Sequence, residues 1–297
     1  MITNLHRSPR KPARAVVLGA GGFIGGAIAR RLRSEGIEIV ALGRGSCDLL
    51  TADAATRLAE ELRPDDTLVF VSARAPVKNV AMLMENIRMG DAVCAALKDR
   101  PVGHVIYISS DAVYKDSTEP ISEASCAEPG SLHGVMHLAR EVMLRSEFSG
   151  PLAFVRPTLT YGIDDPHNGY GPNRFRRLAA EGKDLALFGE GEEQRDHIAV
   201  DDIAELVLCI GLHRSTGVVN AVTGEVVSFR TLAEFIATQF TPPVTIKGSP
   251  RTGPMPHNGL RPFASSAALT AFPGFTFTRW PKGIAAMCAE SSQAKER

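Results

Sequence analysis

Residues 13–34 read ARAVVLGAGGFIGGAIARRLRS, and the fold turns on how this stretch is parsed. Residues 13–18 are a short run rich in β-branched side chains, the composition of a buried strand. Gly19, Gly22 and Gly25 follow at three-residue spacing, and residues 26–34 have the composition of a helix. Strand, glycine turn and helix in that order aim backbone N–H groups and the positive end of a helix at one point, which suits a pyrophosphate. The spacing G-x-x-G-x-x-G departs from the commoner G-x-G-x-x-G, and a structural tight turn is the competing reading.

Upstream, the basic segment 6–14 precedes an uncharged run, 15–29, that superficially resembles a secretory signal. The run holds five glycines and falls short of the ~20 apolar residues a membrane-spanning helix needs. Residues 1–12 are therefore expected to be a disordered leader.

Downstream, a second strand at 38–42 ends in Gly43-Arg44. An acidic residue there would take the ribose hydroxyl of NAD, whereas arginine accommodates the 2′-phosphate of NADP, so Arg44 favours NADP over NAD. Strands at 67–71, 104–110 and 152–156 alternate with helices at 82–97 and 138–147. That alternation predicts an α/β fold, a Rossmann-type doubly wound parallel sheet, with a smaller C-terminal substrate lobe. Ligands of such sheets lie beyond the strand C-terminal ends, so residues 72–76, 109–111 and 156–158 should line one crevice.

Bulk composition excludes more than it assigns. The 297 residues carry 33 basic and 33 acidic side chains, with 44% hydrophobic residues, and no basic patch with interleaved aromatics that would suit nucleic acid. No membrane segment is expected. Five dispersed cysteines, Cys47, Cys94, Cys126, Cys209 and Cys288, contain no CxxC pair and read as reduced thiols of a cytoplasmic protein.

Taken together, these segments resemble the extended short-chain dehydrogenases/reductases, specifically the NAD(P)-dependent nucleotide-sugar epimerase/dehydratase/reductase group. GAGGFIG at 19–25 is similar to the dinucleotide loop, CDL at 47–49 to the adenine contact, and IYISSDAVY at 106–114 to the catalytic-serine strand. RPTLTYG at 156–162 is similar to the strand whose proline abuts the nicotinamide. LFGEG at 187–191 with RDHIAVDD at 195–202 is similar to the nucleotide-sugar clamp.

The resemblance implies cofactor contacts from Gly19, Gly22, Phe23, Ile24, Gly25, Arg44, Asp48, Leu49, Ser72, Ala73, Ser109 and Pro157. It implies substrate contacts from Asn173, Phe188, Arg195 and Arg261, with a nucleotide-diphosphate sugar as ligand and a homodimer built on residues 82–98 and 133–147. The implied domains are a dinucleotide-binding unit at 13–165, to which 196–225 returns, and a sugar-binding lobe at 166–195 and 226–290. Residues 291–297 are expected to fray.

The family's chemistry uses a serine, a tyrosine acting as acid/base, and a lysine four residues after the tyrosine. Ser110 matches the serine, with Asp111 beside it as a further acid. The stretch SLHGVMHLARE at 131–141 instead places His133 at the tyrosine position and His137 at the lysine position. Histidine titrates near ~6.5 and can move protons at neutral pH unaided, so His133 is a candidate acid/base. Three other readings compete. The histidines could be packing residues in a catalytically impaired dinucleotide- and sugar-binding protein. A phenol from Tyr114, Tyr161 or Tyr170 could substitute. A metal on His133, His137 and Glu141 is disfavoured, since ligands in a straight row along a helix converge poorly on one ion, and no metal is assigned.

Overall fold

The computed structural model describes residues 1–293. In chain order the first half comprises β1 (Arg14–Leu18), α1 (Phe23–Ser34), β2 (Glu38–Leu42), α2 (Ala54–Glu61), β3 (Thr67–Phe70), α3 (Val80–Asp99), β4 (His104–Ile108), α4 (Leu132–Glu147) and β5 (Leu152–Pro157). The second half comprises β6 (Leu159–Tyr161), α5 (Pro172–Ala180), β7 (Leu185–Phe188), β8 (Gln194–Ala199), α6 (Val200–His213), β9 (Gly217–Ala221), β10 (Val226–Ser228), α7 (Phe229–Ala237), β11 (Ile246–Ser249), β12 (Leu260–Arg261), α8 (Ser266–Ala271) and α9 (Trp280–Gln293).

Six parallel strands form the main sheet in the order β2-β1-β3-β4-β5-β9. Parallel strands covered on both faces must be apolar throughout, and β1, β3 and β4 are buried at every position. Alternate residues serve opposite faces. Val17, Val69, Ile106 and Val155 pack under α1 and α6, whereas Val16, Leu68, Tyr107 and Phe154 pack under α2, α3 and α4.

Strand order reverses at β1, which lies between β2 and β3. The loops leaving β1 and β3 therefore diverge to opposite faces and leave a crevice between them, where such sheets take ligands.

The smaller lobe is built on β8, which pairs with β6, β10 and β12, and on the β7–β11 ribbon. Helices α5, α7 and α9 close its core around Phe175, Phe229 and Leu232. α6 and β9 return to the main sheet, as does α8, whose Ala268 lies with Phe272 and Phe275 in the core under α6. Residues 268–275 of the expected C-terminal lobe therefore contribute Ala268, Phe272 and Phe275 to the core beneath the main sheet.

Four local expectations are corrected. Residues 1–12 are not a disordered leader: Thr3 bridges Thr216, His6 N–H donates to His213, and Arg10 N–H donates to Leu212. The segment is held by its backbone against the edge of the sheet, a mode that leaves no apolar signature in sequence. α4 begins at Leu132, capped by the Ser131 hydroxyl, which accepts from Gly134 N–H at 3.2 Å, so both histidines lie on it. An acidic pair before the apolar run 203–212 has the form of a helix cap, yet Asp201 and Asp202 do not cap α6; the cap is Ala199, and Asp202 instead accepts from Thr278 N–H and Oγ at 2.7 and 2.8 Å. Ser291 belongs to α9 and accepts from Arg176 at 2.7 Å; residues 294–297 of the expected frayed end lie outside the described residues.

α3 and α4 pack side by side and leave Val80, Met84, Val135 and Val142 exposed. No helix among the described residues is long and apolar enough to cross a membrane.

Candidate functional site

The turn from β1 to α1 owes its shape to two glycines. Gly19 has φ +101°, and a Cβ there would lie 2.8 Å from the Ser72 nitrogen, so only glycine lets the β1 and β3 loops touch. A Cβ on Gly25 would lie 2.1 Å from the Gly19 carbonyl oxygen, so only glycine lets α1 start against the turn. Gly22 precedes α1 with no side-chain cap, and the first turn has no acidic residue. The helix thus presents its free N–H groups and positive end to the crevice without a competing protein acceptor, and this fits a diphosphate.

The crevice is a cleft of about 590 Å³. Gly19, Gly22, Phe23, Ile24, Gly25, Arg44, Asp48, Leu49, Ser72 and Ala73 all line it, so ten of the twelve sequence-derived cofactor positions meet in one place. Arg44 is exposed on its rim with no hydrogen-bond or ion-pair partner among the described residues.

The other two positions lie elsewhere. The Ser109 hydroxyl donates to Glu141 at 2.7 Å and is buried, and Pro157 ends β5 inside the core, outside the lining of this cleft. Glu141 also receives Arg156 through Nε at 2.8 Å and Nη2 at 2.6 Å, and both side chains are buried. Ser109 therefore serves the α4–β4–β5 junction.

A second cavity of about 260 Å³ shares Ala75, Thr160, Asp165 and His167 with the first. His133 and Asn173 line it, together with His197 and Tyr170. His133 packs edge-on against His137, with ring centroids 4.7 Å apart. Its Nδ1 is enclosed and unpartnered among the described residues, which leaves Nε2 as the nitrogen available to the cavity. Burial lowers the His133 pKa, partly opposed by the charge of Asp111. His137 is buried, accepts or donates at Nδ1 to the Tyr107 hydroxyl at 2.8 Å, and is held well below the usual imidazole range by burial, His133 and Arg140. Both rings are neutral at pH 7.

The metal alternative finds no support in this geometry. Glu141 is consumed by Arg156 and Ser109, and among the described residues no group of three His, Cys, Asp or Glu is placed to hold an ion.

Neither Arg195 nor Arg261 lines the two cavities as a free phosphate ligand. Arg195 is buried with Glu193 at 3.2 Å and Asp111 at 4.0 Å. Arg261 bonds Asp111 through Nε at 3.1 Å, pairs with Asp116, and donates to the carbonyls of Asp111 and Tyr114. It borders a third cavity of about 380 Å³ with Lys115 and His257. Asp111 is therefore committed to two arginines, and the Ser110 hydroxyl is 3.3 Å from it while accepting from Ala112 N–H. Phe188 is exposed and lines none of these three cavities; its ring lies tilted against Tyr170, with centroids 4.5 Å apart.

Of the three candidate phenols, Tyr114 donates to Asn220 at 2.7 Å and Tyr161 is buried beneath Gly283. Of the three, Tyr170 alone lines the cavity that holds His133, and burial raises its pKa. None is placed to replace His133. Two contributors escaped the sequence reading. His197 is buried with both ring nitrogens unpartnered, and His167 stands where the two cavities join. A lone histidine on a strand carries no mark of burial, and a histidine in an exposed loop carries no mark of the cavity beside it, so neither His197 nor His167 had a signal in sequence.

Comparison with known proteins gives a consistent picture. A model of the NAD dependent epimerase/dehydratase family matches residues 15–222. The UDP-glucose 4-epimerase of Mycolicibacterium smegmatis is 26% identical over 233 residues, covering 67% of this chain and 73% of that protein. The 2-alkyl-3-oxoalkanoate reductase of Shewanella oneidensis is 27% identical over 278 residues, covering 82% and 70%. The crystal structure of a GDP-L-fucose synthetase from Naegleria fowleri bound to NADP superposes with a TM-score of 0.82 at 19% identity, covering 99% of this chain and 98% of that one.

The buried imidazoles give stability a definite pH dependence. His104 is pushed down to about 4 and His197 to about 3 by burial, and His137 lies well below 6.5. Their folded pKa values are depressed, so their contribution is present above pH 6.5 and lost as pH falls toward the folded values. Asp196 opposes them: burial raises it to about 6, so its contribution is present below 3.8 and lost as pH rises through 6. Three imidazoles outweigh one carboxylate. Urea unfolding at pH 5 should give a stability lower than at pH 7, with His104 and His197 each contributing on the order of 2 kcal/mol and Asp196 opposing them by about 1. His197→Phe should reduce the difference by on the order of 2 kcal/mol; equal stabilities of the wild type at the two pH values would contradict the assignment.

Proposed function

The chain belongs to the NAD dependent epimerase/dehydratase family, and on that premise we propose that it is an oxidoreductase or epimerase that moves hydride at a carbon of a nucleotide-diphosphate sugar. The observation carrying this reading is that His133 lines a cavity sharing a wall with the glycine-loop cleft, so a proton-transferring group faces the end of the dinucleotide site. Its relatives support the class: one acts as a UDP-glucose 4-epimerase and another as a 2-alkyl-3-oxoalkanoate reductase.

The 590 Å³ cleft would hold the dinucleotide, with the α1 N-terminus and glycine loop on the diphosphate and Asp48 and Leu49 at the adenine. When bound, the nicotinamide supplies hydride exchange. The protein's task is to bind and orient the sugar and to move a proton. His133 Nε2, on a ring already neutral, takes the proton from a sugar hydroxyl or, once protonated, returns it to a carbonyl oxygen. Asn173 stiffens the cavity wall: its Oδ1 accepts from Gly162 N–H at 3.0 Å and its Nδ2 donates to the Thr160 carbonyl at 3.2 Å.

The second reading, a binding protein without turnover, draws on one observation. Arg195 and Arg261 are paired with Glu193, Asp111 and Asp116, so a diphosphate must compete with carboxylates for them.

Single-turnover transfer from deuterated NADPH to a panel of 4-keto nucleotide sugars separates the two. Label should appear in the sugar with wild-type protein and fall roughly 100-fold or more in His133→Ala, the scale of a lost general acid/base. Binding of both ligands with no transfer by wild type would favour the second reading.

Arg44 is proposed to take the 2′-phosphate of NADP. Arg44→Ala should weaken NADPH roughly 10- to 100-fold, the size of a charge-assisted contact, and leave NADH unchanged. Equal weakening of both would remove Arg44 from the specificity argument.

A homodimer is proposed through α3 and α4, whose exposed Val80, Met84, Val135 and Val142 give an apolar face that a second copy would cover. Sedimentation velocity should show a dimer that becomes monomeric in the double variant Met84→Glu, Val142→Glu.

A further inference from the structure

Residue 137 is a histidine where the family resemblance places a lysine, so a permanent positive charge is missing from the chain at that point. The fold carries one nearby. Arg140 follows His137 by one turn of α4 and is fully buried. It donates to the Asn86 carbonyl at 2.9 and 2.7 Å, to Asn86 Oδ1 at 3.1 Å and to the Ser72 carbonyl at 2.8 Å, and lies over the Phe70 ring at 4.9 Å. None of these partners is a carboxylate. A buried cation with only neutral partners is costly to keep, so its placement calls for a role. Ser72, which it grips, is part of the wall of the dinucleotide cleft.

Beside this cation stands the Tyr107 phenol, wedged between Phe70 at 5.1 Å and Phe154 at 6.3 Å, so it cannot swing. Burial pushes Tyr107 up to about 12 against the pull of Arg140, and the hydroxyl keeps its proton. The Tyr107 hydroxyl lies 2.8 Å from His137 Nδ1, and which of the two donates is set by the tautomer of the ring. A ring that accepts at Nδ1 carries its own proton at Nε2. The His137 ring is in turn the surface on which His133 packs edge-on.

Resting on the reading of His133 as the proton-transferring group, we infer that Arg140 and Tyr107 are its positioning residues and together replace the absent lysine. Arg140 holds the fixed charge. Tyr107 locks His137 as the neutral Nε2–H tautomer, and His137 so locked fixes the His133 ring at the cavity.

The first test needs no substrate. Nitrogen-15 NMR of the histidine side chains should show His137 as a single Nε2–H tautomer in wild type and as a mixture in Tyr107→Phe. The deuteride transfer described above should then fall about tenfold in Tyr107→Phe, the size of one lost buried hydrogen bond, with NADPH affinity changed less than threefold. Arg140→Gln keeps hydrogen-bonding capacity but removes the charge; it should give the same tautomer mixture, and it decides the matter if Tyr107→Phe does not fold. A single Nε2–H tautomer persisting in the variants would overturn the inference, as would undiminished transfer. Absence of transfer in wild type would sink the enzymatic reading alone, since the tautomers would still decide the arrangement.

Discussion

One buried carboxylate sets the geometry of this molecule. Glu141 takes both nitrogens of Arg156 and the Ser109 hydroxyl, and all three groups are out of water. These bonds clamp α4 to the ends of β4 and β5. α4 is the helix that carries His133 and His137 two turns and one turn before Glu141, so their height above the sheet follows from the clamp. Removing one partner would leave an uncompensated buried charge, at a cost of about 3–5 kcal/mol, which makes the clamp hard to relax. Such rigidity suits the proton-transferring role proposed for His133, which would require it to meet a substrate oxygen within a few tenths of an ångström.

Much of this was legible in sequence, because the determinants were local. The three-residue glycine spacing marks a turn that only glycine can make, and the contacts of Gly19 and Gly25 supply the steric reason. The strands of the main sheet announce themselves by uninterrupted apolar runs. What escaped was non-local. Ser109 lies beside Ser110 in the chain, yet adjacent residues of a strand face opposite ways, and Ser109 looks to Glu141. Asp202 has the form of a helix cap, but Thr278, 76 residues on, offers it two donors. Residues 1–12 are held by backbone bonds that any sequence could make. His197 becomes a candidate only once burial has stripped its nitrogens of partners.

The arginines show how a motif can keep its residue and change its electrostatics. The family resemblance assigns Arg195 and Arg261 to a ligand's phosphate oxygens, which planar guanidinium groups would suit. Asp111, Asp116 and Glu193 now satisfy them from within the protein. An incoming anion must displace these carboxylates or share the arginines with them. Discrimination against a wrong ligand is strengthened by that competition, because only a ligand with further contacts overcomes it. Tyr170, which lines the His133 cavity with the exposed Phe188 ring tilted against it, offers an aromatic surface there.

A tyrosine needs a neighbouring cation because a phenol near ~10 must be drawn down to work at neutral pH. An imidazole starts near ~6.5 and has the opposite problem: a cation alongside would drive its pKa too low to accept a proton. Histidine at 133 therefore argues against lysine at 137, and the two replacements belong together. The charge is moved to Arg140, one turn further along α4, with Tyr107 and His137 interposed. Among the influences on His133, burial lowers its proton affinity and the Asp111 carboxylate raises it, while Arg140 acts on His137 directly. Distance thus does for an imidazole what proximity does for a phenol, and that compensation is the physical case for treating the histidine pair as a working variant rather than a ruin.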